Sequence, residues 1–193
     1  EFENDNIKGS ISLLGGIIDD LTYKKYTETI NKEDYVILLN PKKLENGYYV
    51  ETGWVSNNEN IKLPDSKTIW QLEENIKLTP KKPIKLKWIN GQGIIFEKKI
   101  TIDNNFLFTI DQKITNNTEK TYSFYPYGQV VRNSSPEVTN FYILHEGLIG
   151  VFDEQLIEKD YKDIEEKKYS IVSKKGWLGI TDKYFAATIA PGK

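Results

Sequence analysis

The sequence from Ile84 to Asn116 reads IKLKWINGQGIIFEKKITIDNNFLFTIDQKITN and carries a clear strand pattern. Apolar residues recur at every second position, which is the period of strands that bury one face. Clusters of Asn, Gly and Asp at 90–93 and 103–105 interrupt this period with turn-forming residues. The stretch therefore predicts an antiparallel meander in which three strands, from Ile84, from Ile94 to Ile102 and from Phe106 to Ile114, follow one another.

The rest of the chain repeats this pattern of short alternating segments between turn residues. The opening predicts a hairpin of Ile7 to Leu13 and Ile17 to Tyr26, turned by Gly15-Gly16. Further predicted strands are Tyr35 to Leu39, Tyr48 to Trp54, and Thr121 to Arg132 as a fourth strand of the meander. The predicted fold class is therefore all-β, with two antiparallel sheets packed face to face and little helix.

Two polar stretches are predicted to lie outside the strands. Residues 133–140 read as a polar loop, and Glu165-Glu166-Lys167-Lys168 as a solvated loop or a helix turn. After Gly147, short strands alternate with charged segments.

Length and composition predict one domain spanning residues 1–193. The chain has 38% hydrophobic residues, below the usual fraction, but Trp, Tyr and Phe together supply 12%. A core rich in aromatic side chains and isoleucine is therefore expected.

Charge and residue usage exclude several classes of function. Twenty-six basic and 28 acidic residues give a net charge of -2, and Arg132 is the only arginine, which argues against nucleic-acid binding. The absence of cysteine excludes disulfides, thiolate metal sites and thiol nucleophiles. No apolar run approaches the roughly 18 residues of a membrane-spanning helix. Because the chain opens on Glu1 and contains no methionine, we expect it to be an excised piece of a larger protein.

Residues that could carry chemistry are few, and each has a plainer interpretation. His145 is the only histidine, so histidine-based metal sites cannot be assembled and catalysis would have one imidazole at most. The glycines of Gly91-Gln92-Gly93 lack the helix that phosphate binding needs and predict a hairpin turn. Asp19 and Asp20 are neighbours on a strand and should point to opposite faces. Ser134-Ser135 lacks a nucleophile motif. We expect no catalytic residue, metal or cofactor.

The most specific motif is at the end of the chain, where residues 176–191 read GWLGITDKYFAATIAP. Its spacing fits one helix face or two short strands broken near Asp182-Lys183, and Gly179 with the neighbouring Thr and Ile favours strands. It resembles the Gly-Trp…Tyr-Phe…Pro signature that closes the periplasmic domain of YidC-type membrane protein insertases. Similar matches to that family, of its α-proteobacterial type, are KGSI at 8–11 with GIIDDL at 16–21, VILLNP at 36–41 with YYVETGWV at 48–55, and YPYGQVVR at 125–132.

The resemblance implies a β-supersandwich of the galactose-mutarotase kind that faces the periplasm at the bacterial inner membrane. It implies one transmembrane helix before Glu1 and five after Lys193, so that the domain is tethered in the full protein and monomeric as a fragment. The implied function is assistance in the insertion and folding of inner-membrane proteins, without catalysis. The fold relationship also raises an alternative, a carbohydrate-binding or mutarotase-like domain, although such catalysis uses histidines with a carboxylate and His145 stands alone.

The resemblance also implies partners: the Sec translocon components SecD and SecF, and nascent membrane proteins. Two regions are candidates for these contacts. The first is the C-terminal segment from Trp177 to Phe185, and a weaker one is the stretch from Ile94 to Asn117, which corresponds to a region linked with SecF in relatives. The candidate residues of the first are Trp177, Leu178, Ile180, Asp182, Tyr184 and Phe185. Whether Trp177, Tyr184 and Phe185 form an interface or fill the core stays open at this point.

Overall fold

The structure is a computed structural model that describes residues 1–30, 34–136, 145–182 and 184–192. Its regular elements are fourteen strands and one short helix within these ranges. The strands are β1 (Phe2–Glu3), β2 (Ile7–Ser12), β3 (Ile17–Thr27), β4 (Tyr35–Leu39), β5 (Tyr48–Ser56), β6 (Gln71–Leu72), β7 (Ile84–Ile89), β8 (Ile94–Ile102), β9 (Phe108–Asn116), β10 (Phe124–Arg132), β11 (Gly147–Phe152), β12 (Gln155–Asp160), β13 (Gly176–Thr181) and β14 (Ala186–Ile189). The helix is α1 (Tyr161–Glu166).

The predicted antiparallel all-β class is confirmed, and backbone hydrogen bonds among the described residues divide the strands into three sheets. The N-terminal sheet has the order β1-β2-β3-β5-β10, with β4 paired to β3. The meander sheet has the order β6-β7-β8-β9, and the C-terminal sheet has the order β12-β11-β13-β14. Ile189 of β14 packs over Gly128 of β10, where it leaves no room for a side chain. The C-terminal sheet therefore lies against the last strand of the N-terminal sheet.

The opening hairpin forms as the sequence predicts, because its turn residues adopt conformations that favour glycine. Gly15 and Gly16 have φ values of 81° and 63°. A Cβ on Gly16 would also stand 2.8 Å from Nε1 of the buried Trp70. This turn therefore depends on glycine for its backbone conformation and for its close approach to an aromatic ring.

The three predicted strands of the meander are present, but the last begins two residues later than predicted. Asp103 organises the turn before it: its carboxylate accepts hydrogen bonds from the amides of Asn105 (2.8 Å) and Leu107 (3.0 Å). The Asp103 amide donates to the Leu107 carbonyl at 3.0 Å. These bonds hold Phe106 and Leu107 in the turn, so β9 starts at Phe108.

The prediction that Thr121 to Arg132 continues the meander is wrong. The strand there, β10, pairs along its whole length with β5, from Phe124 opposite Ser56 to Arg132 opposite Tyr48. The ring of Phe124 packs edge-on against Phe96 of β8 at 5.7 Å. The chain thus crosses from the meander sheet to the N-terminal sheet after β9. The prediction failed because alternation of apolar residues predicts a strand but does not identify the strand with which it pairs.

The main core lies between the N-terminal sheet and the meander sheet and is aromatic, as the composition predicts. Phe96 is fully buried at its centre. Its ring lies 5.2 Å from Trp54 of β5 and 5.8 Å from Trp88 of β7. Trp70 stacks on Trp54 at 6.3 Å. Aromatic pairs from two sheets therefore hold the sandwich together.

The two predicted polar stretches have different outcomes. The acidic residues of the 165–168 stretch fall at the end of α1, and Lys167 follows the helix, so the predicted helix turn is confirmed. The polar loop predicted for 133–140 is described only as far as Pro136, and its remainder lies outside the described residues.

Candidate functional site

The C-terminal segment forms the hairpin of β13 and β14, which confirms the prediction of two short strands. Leu178 pairs with Ile189 and Thr181 with Ala186. The turn is closed by the Asp182 amide, which donates to the Phe185 carbonyl at 2.8 Å. Lys183, at the predicted break, lies outside the described residues.

The six candidate residues differ widely in burial, and the burial along β13 does not simply alternate. Ile180 is 6% exposed and belongs to the core, whereas Leu178 is 44% exposed and Tyr184 is 73% exposed. Trp177, Asp182 and Phe185 are half-buried. The segment therefore serves the core and the surface at once.

Asp182 anchors this hairpin to the N-terminal sheet through the only arginine of the chain. Nη1 of Arg132, at the end of β10, donates to Oδ1 of Asp182 at 2.5 Å and to the Tyr161 hydroxyl at 3.2 Å. The guanidinium lies 5.0 Å from the ring centre of Tyr48. The Tyr48 hydroxyl donates to the Ile180 carbonyl at 3.1 Å. One half-buried cation thus joins β5, β10, α1 and β13.

Burial keeps the two phenols of this cluster neutral. It raises the pKa of Tyr48 and the pKa of Tyr161 above their ordinary values. Both hydroxyls therefore remain hydrogen-bonding groups throughout the physiological range, and the cluster is a structural tie.

Asp182→Ala should lower the free energy of unfolding by about 2 kcal/mol, because it leaves the half-buried Arg132 without its carboxylate. The value is set below that of a fully buried pair because the two side chains are 20% and 30% exposed. Chemical denaturation measures it. The matched control is Glu154→Ala, which breaks an ion pair with Lys175 whose side chains are 81% and 66% exposed, and little change is expected. Equal losses for the two variants would contradict the anchoring role.

Phe185 provides a second, aromatic contact between the hairpin and the opening strands. Its ring stacks on Tyr23 of β3 at 4.6 Å and meets Tyr26 edge-on at 5.6 Å. Tyr184, its neighbour, meets the Phe185 ring edge-on at 6.5 Å and is largely exposed. For Phe185, the structure thus supports a packing role, while Tyr184 and Leu178 are exposed side chains of the segment.

Next to the hairpin lies a groove of about 1360 Å³ at which all three sheets meet. Its walls include β9, β10 and β14, each of which is an edge strand of its sheet among the described residues. The lining is largely apolar, with Leu107, Ile110, Phe124, Trp177 and Leu178 among its side chains. Trp177 and Leu178 of the predicted segment therefore take part in a concave surface.

The groove offers little for acid–base chemistry. Its described lining contains one carboxylate, Asp111, and no imidazole. His145 lies elsewhere: its Nδ1 is 3.3 Å from Oδ1 of Asp160, and its Nε2 is 2.9 Å from the Leu148 carbonyl. Within the described ranges, no group of three metal-ligating side chains comes together.

The other residues singled out from the sequence have structural partners. Asp20 accepts a hydrogen bond from the Ser10 hydroxyl at 2.8 Å, and Asp19 accepts from the Lys42 amide at 3.5 Å. Burial raises the pKa of Asp19 above its ordinary value. The Gly91-Gln92-Gly93 stretch is the turn between β7 and β8, as predicted.

Sequence reasoning missed Lys98, which is 1% exposed in the core. Its Nζ donates to the carbonyls of Thr52 (2.6 Å) and Gly16 (3.2 Å) and lies 4.8 Å from the ring centre of Trp70. The signal was present, because Lys98 occupies an inward position between Phe96 and Ile100 on β8. It is a charged residue in an otherwise apolar alternation.

All residues from 1 to 193 match the profile of the family described as YidC periplasmic domain. The chain belongs to this family. The resemblance predicted from the sequence motifs is thereby confirmed, as is the compartment: the YidC periplasmic domain is the part of an inner-membrane protein that faces the periplasm.

Curated relatives agree along the whole chain, and all of the following are named membrane protein insertase YidC. The Pelagibacter ubique protein is 48% identical over 193 residues, which are 100% of this chain and 35% of that protein. The Bradyrhizobium diazoefficiens protein is 41% identical over 194 residues, 99% of this chain and 31% of that protein. The Rickettsia africae protein is 42% identical over 196 residues, 100% of this chain and 35% of that protein.

The chain spans about a third of the length of these relatives. None of the helices in the described ranges is both long enough and apolar enough to span a bilayer.

Proposed function

We propose that this domain serves a YidC insertase without catalysis, as a docking and positioning unit that assists the insertion and folding of inner-membrane proteins. The observation that carries the proposal is the tie between Arg132 and Asp182. It fixes the last hairpin of the chain to β10 at the edge of the N-terminal sheet.

The groove is the surface that we assign to docking. It is concave and mainly apolar, and it brings together the last strands of three sheets, a setting in which an extended polypeptide segment can be recognised. The proposed partners are SecD and SecF of the Sec translocon or a nascent membrane protein. Strand β9, which falls within the weaker candidate region from Ile94 to Asn117, also lines this groove.

Absence of catalysis is part of the proposal and has two supports. The relatives are named insertases, and the groove lining within the described ranges lacks the histidine and carboxylate pair that mutarotase chemistry uses. The carbohydrate alternative predicts saturable sugar binding that changes tryptophan fluorescence, because Trp177 lines the groove. No observation favours that alternative.

Photocrosslinking in the full-length insertase tests the docking role. A benzoylphenylalanine at Leu178, on the groove wall, should capture a Sec component or a nascent membrane protein in membranes. The matched control is Leu156, an exposed leucine of the same sheet that does not line the groove; it is 58% exposed, against 44% for Leu178. Point positions are preferable to deletion, because removing the segment would also remove Ile180 from the core.

The docking role fails if position 178 captures no partner while the insertase still supports insertion. It also fails if positions 178 and 156 capture the same proteins with equal yield, since that result would indicate collision rather than a site. Capture from position 178 alone supports the proposal.

A further inference from the structure

One end of the meander sheet carries a row of apolar side chains on its outer face. Leu14, in the turn between β2 and β3, forms an antiparallel bridge with Ile69. Gln71 of β6 pairs with Lys87 of β7, and Ile69 and Ile89 each lie two residues from this pair, toward the end of the sheet and on the same face. Ile89 pairs with Ile95 of β8. Because paired residues point to the same face, these side chains form one row.

The row is exposed to solvent. Ile69 is 70% exposed, Ile89 is 53% exposed and Leu14 is 39% exposed, and Ile95 is half-buried. Leu13, also 39% exposed, lies beside Leu14 in the same turn. We call Leu14, Ile69, Ile89 and Ile95 the apolar end row.

Two residues further along each strand, the outer face of the meander sheet is polar instead of apolar. The next outward row is polar and charged, with Gln71, Lys87, Glu97 and Lys113 opposite one another. The row after that contains the ion pair of Lys85 with Glu73, at 3.5 Å. Apolar surface on the outer face of the meander sheet is therefore confined to one end of the sheet. Such a surface suits contact between that end and an apolar medium.

Both ends of the chain point toward this end of the sandwich. At the start of the chain, β1 is antiparallel to β2, with Phe2 opposite Gly9. From Phe2 back to Glu1 the chain therefore runs toward the turn between β2 and β3. Lys98 binds the carbonyls of both Gly16 and Thr52, which sets that turn beside the second half of β5.

At the other terminus, Ile189 of β14 packs on Gly128 in the middle of β10. The residues that follow, Ala190 to Gly192, line the groove together with Phe124, the first residue of β10. The start of β10 lies opposite the end of β5. The last residues thus lead to the same end as the turn between β2 and β3.

We propose that the apolar end row rests in the outer surface of the lipid bilayer. The proposal rests on the proposed function, that of one domain in a longer insertase of the inner membrane: both chain ends run toward this end of the sandwich, so we place the membrane there. Lys67, exposed in the adjoining turn, suits the headgroup layer beside half-inserted Leu and Ile side chains. Contact is driven by apolar area, so vesicles of neutral phosphatidylcholine suffice.

The chain has no cysteine, so single labels can be placed without a background. Leu14→Cys and Leu44→Cys would each carry an environment-sensitive fluorophore. Leu44 is the matched control because it is 47% exposed and lies in the turn before β5. This turn is at the opposite end of the N-terminal sheet from the turn that contains Leu14. Each protein is tethered by a C-terminal histidine tag to phosphatidylcholine vesicles that contain a nickel-chelating lipid and nitroxide groups on the acyl chains.

The nitroxides should quench the label at position 14 about fivefold more than the label at position 44. Adding Ile69→Ser to the Leu14→Cys protein should reduce that quenching roughly fivefold, since it removes apolar area from the row without touching the core. Circular dichroism checks that the labelled proteins are folded.

Equal quenching at the two positions, or none at either, overturns the proposal. Undiminished quenching after Ile69→Ser overturns it as well, because the tether alone would then account for the signal. No protein partner is present in this measurement. Its failure is therefore distinct from a failure of the Leu178 crosslinks, which test the docking role.

Discussion

Raising the pH from 8 to 10 is expected to increase the free energy of unfolding of this domain by about 2 kcal/mol through Lys98. Burial lowers the pKa of Lys98 from 10.5 to about 8, against the opposing effect of Glu51. Between these two values the unfolded chain binds a proton that the folded domain does not. Stability therefore rises with pH in this window, and the cost of burying the charge is fully present only below it.

The measurement is a series of denaturation curves between pH 8 and pH 10. The tyrosines, whose ordinary pKa is 10.0, act in the opposite direction near the upper limit, because burial raises the pKa of Tyr23 to about 12. The contribution of Lys98 is therefore taken as the difference between the wild type and Lys98→Met at each pH. Lys98→Met should abolish the rise with pH. Lys99→Met, an exposed neighbour on the same strand, should leave it intact. A rise that survives in the Lys98 variant would show that another group is responsible.

Phe96→Ala is expected to lower the free energy of unfolding by about 4 kcal/mol, the largest effect of any single change considered for this domain. The side chain is 0% exposed and touches aromatic rings of both core-forming sheets: Trp54, Trp88 and Phe124. Its removal leaves a cavity whose walls belong to different sheets and cannot easily close.

Denaturant midpoints of the wild type and the variant measure this loss. Phe106→Ala is the control, since Phe106 is 48% exposed in the turn before β9, and a loss of less than about 1 kcal/mol is expected there. If Phe96→Ala does not fold, Phe96→Leu keeps most of the volume and should cost about 1.5 kcal/mol. Similar losses at positions 96 and 106 would contradict the central role of Phe96.

Most strands could be predicted because each carries its own local evidence. The hairpin of β2 and β3 shows both apolar alternation and a Gly15-Gly16 turn whose conformations favour glycine. The start of β9 could not be placed as well, because Phe106 continues the alternation but is held in a turn by the Asp103 carboxylate. A side-chain hydrogen bond of this kind competes with the strand without changing the pattern of apolar residues.

The candidate site was predictable in part. The closing motif led to the hairpin of β13 and β14 and to its relatives, but alternation alone did not tell which residues remain exposed. Leu178 and Ile180 are two residues apart and share a face of β13, so their different exposure depends on position along the strand: Ile180 lies beside Tyr48 of β5, which donates to its carbonyl, and Leu178 lies on the groove wall. The assignment of Trp177 to Phe185 as an interaction segment stays a prediction, now concentrated on the groove wall and on Tyr184.

The strand pattern, the turns, the aromatic core and the family of this protein can all be read from its sequence. These follow from local periodicity, from residues with restricted backbone preferences and from motifs that can be read along the chain. Only the tertiary structure decided that β10 pairs with β5, that Asp182 meets Arg132, and that Leu14 shares a row with Ile69 and Ile89. These contacts join residues far apart in the chain, and their free energy depends on which sheets pack together, a property that no local stretch encodes.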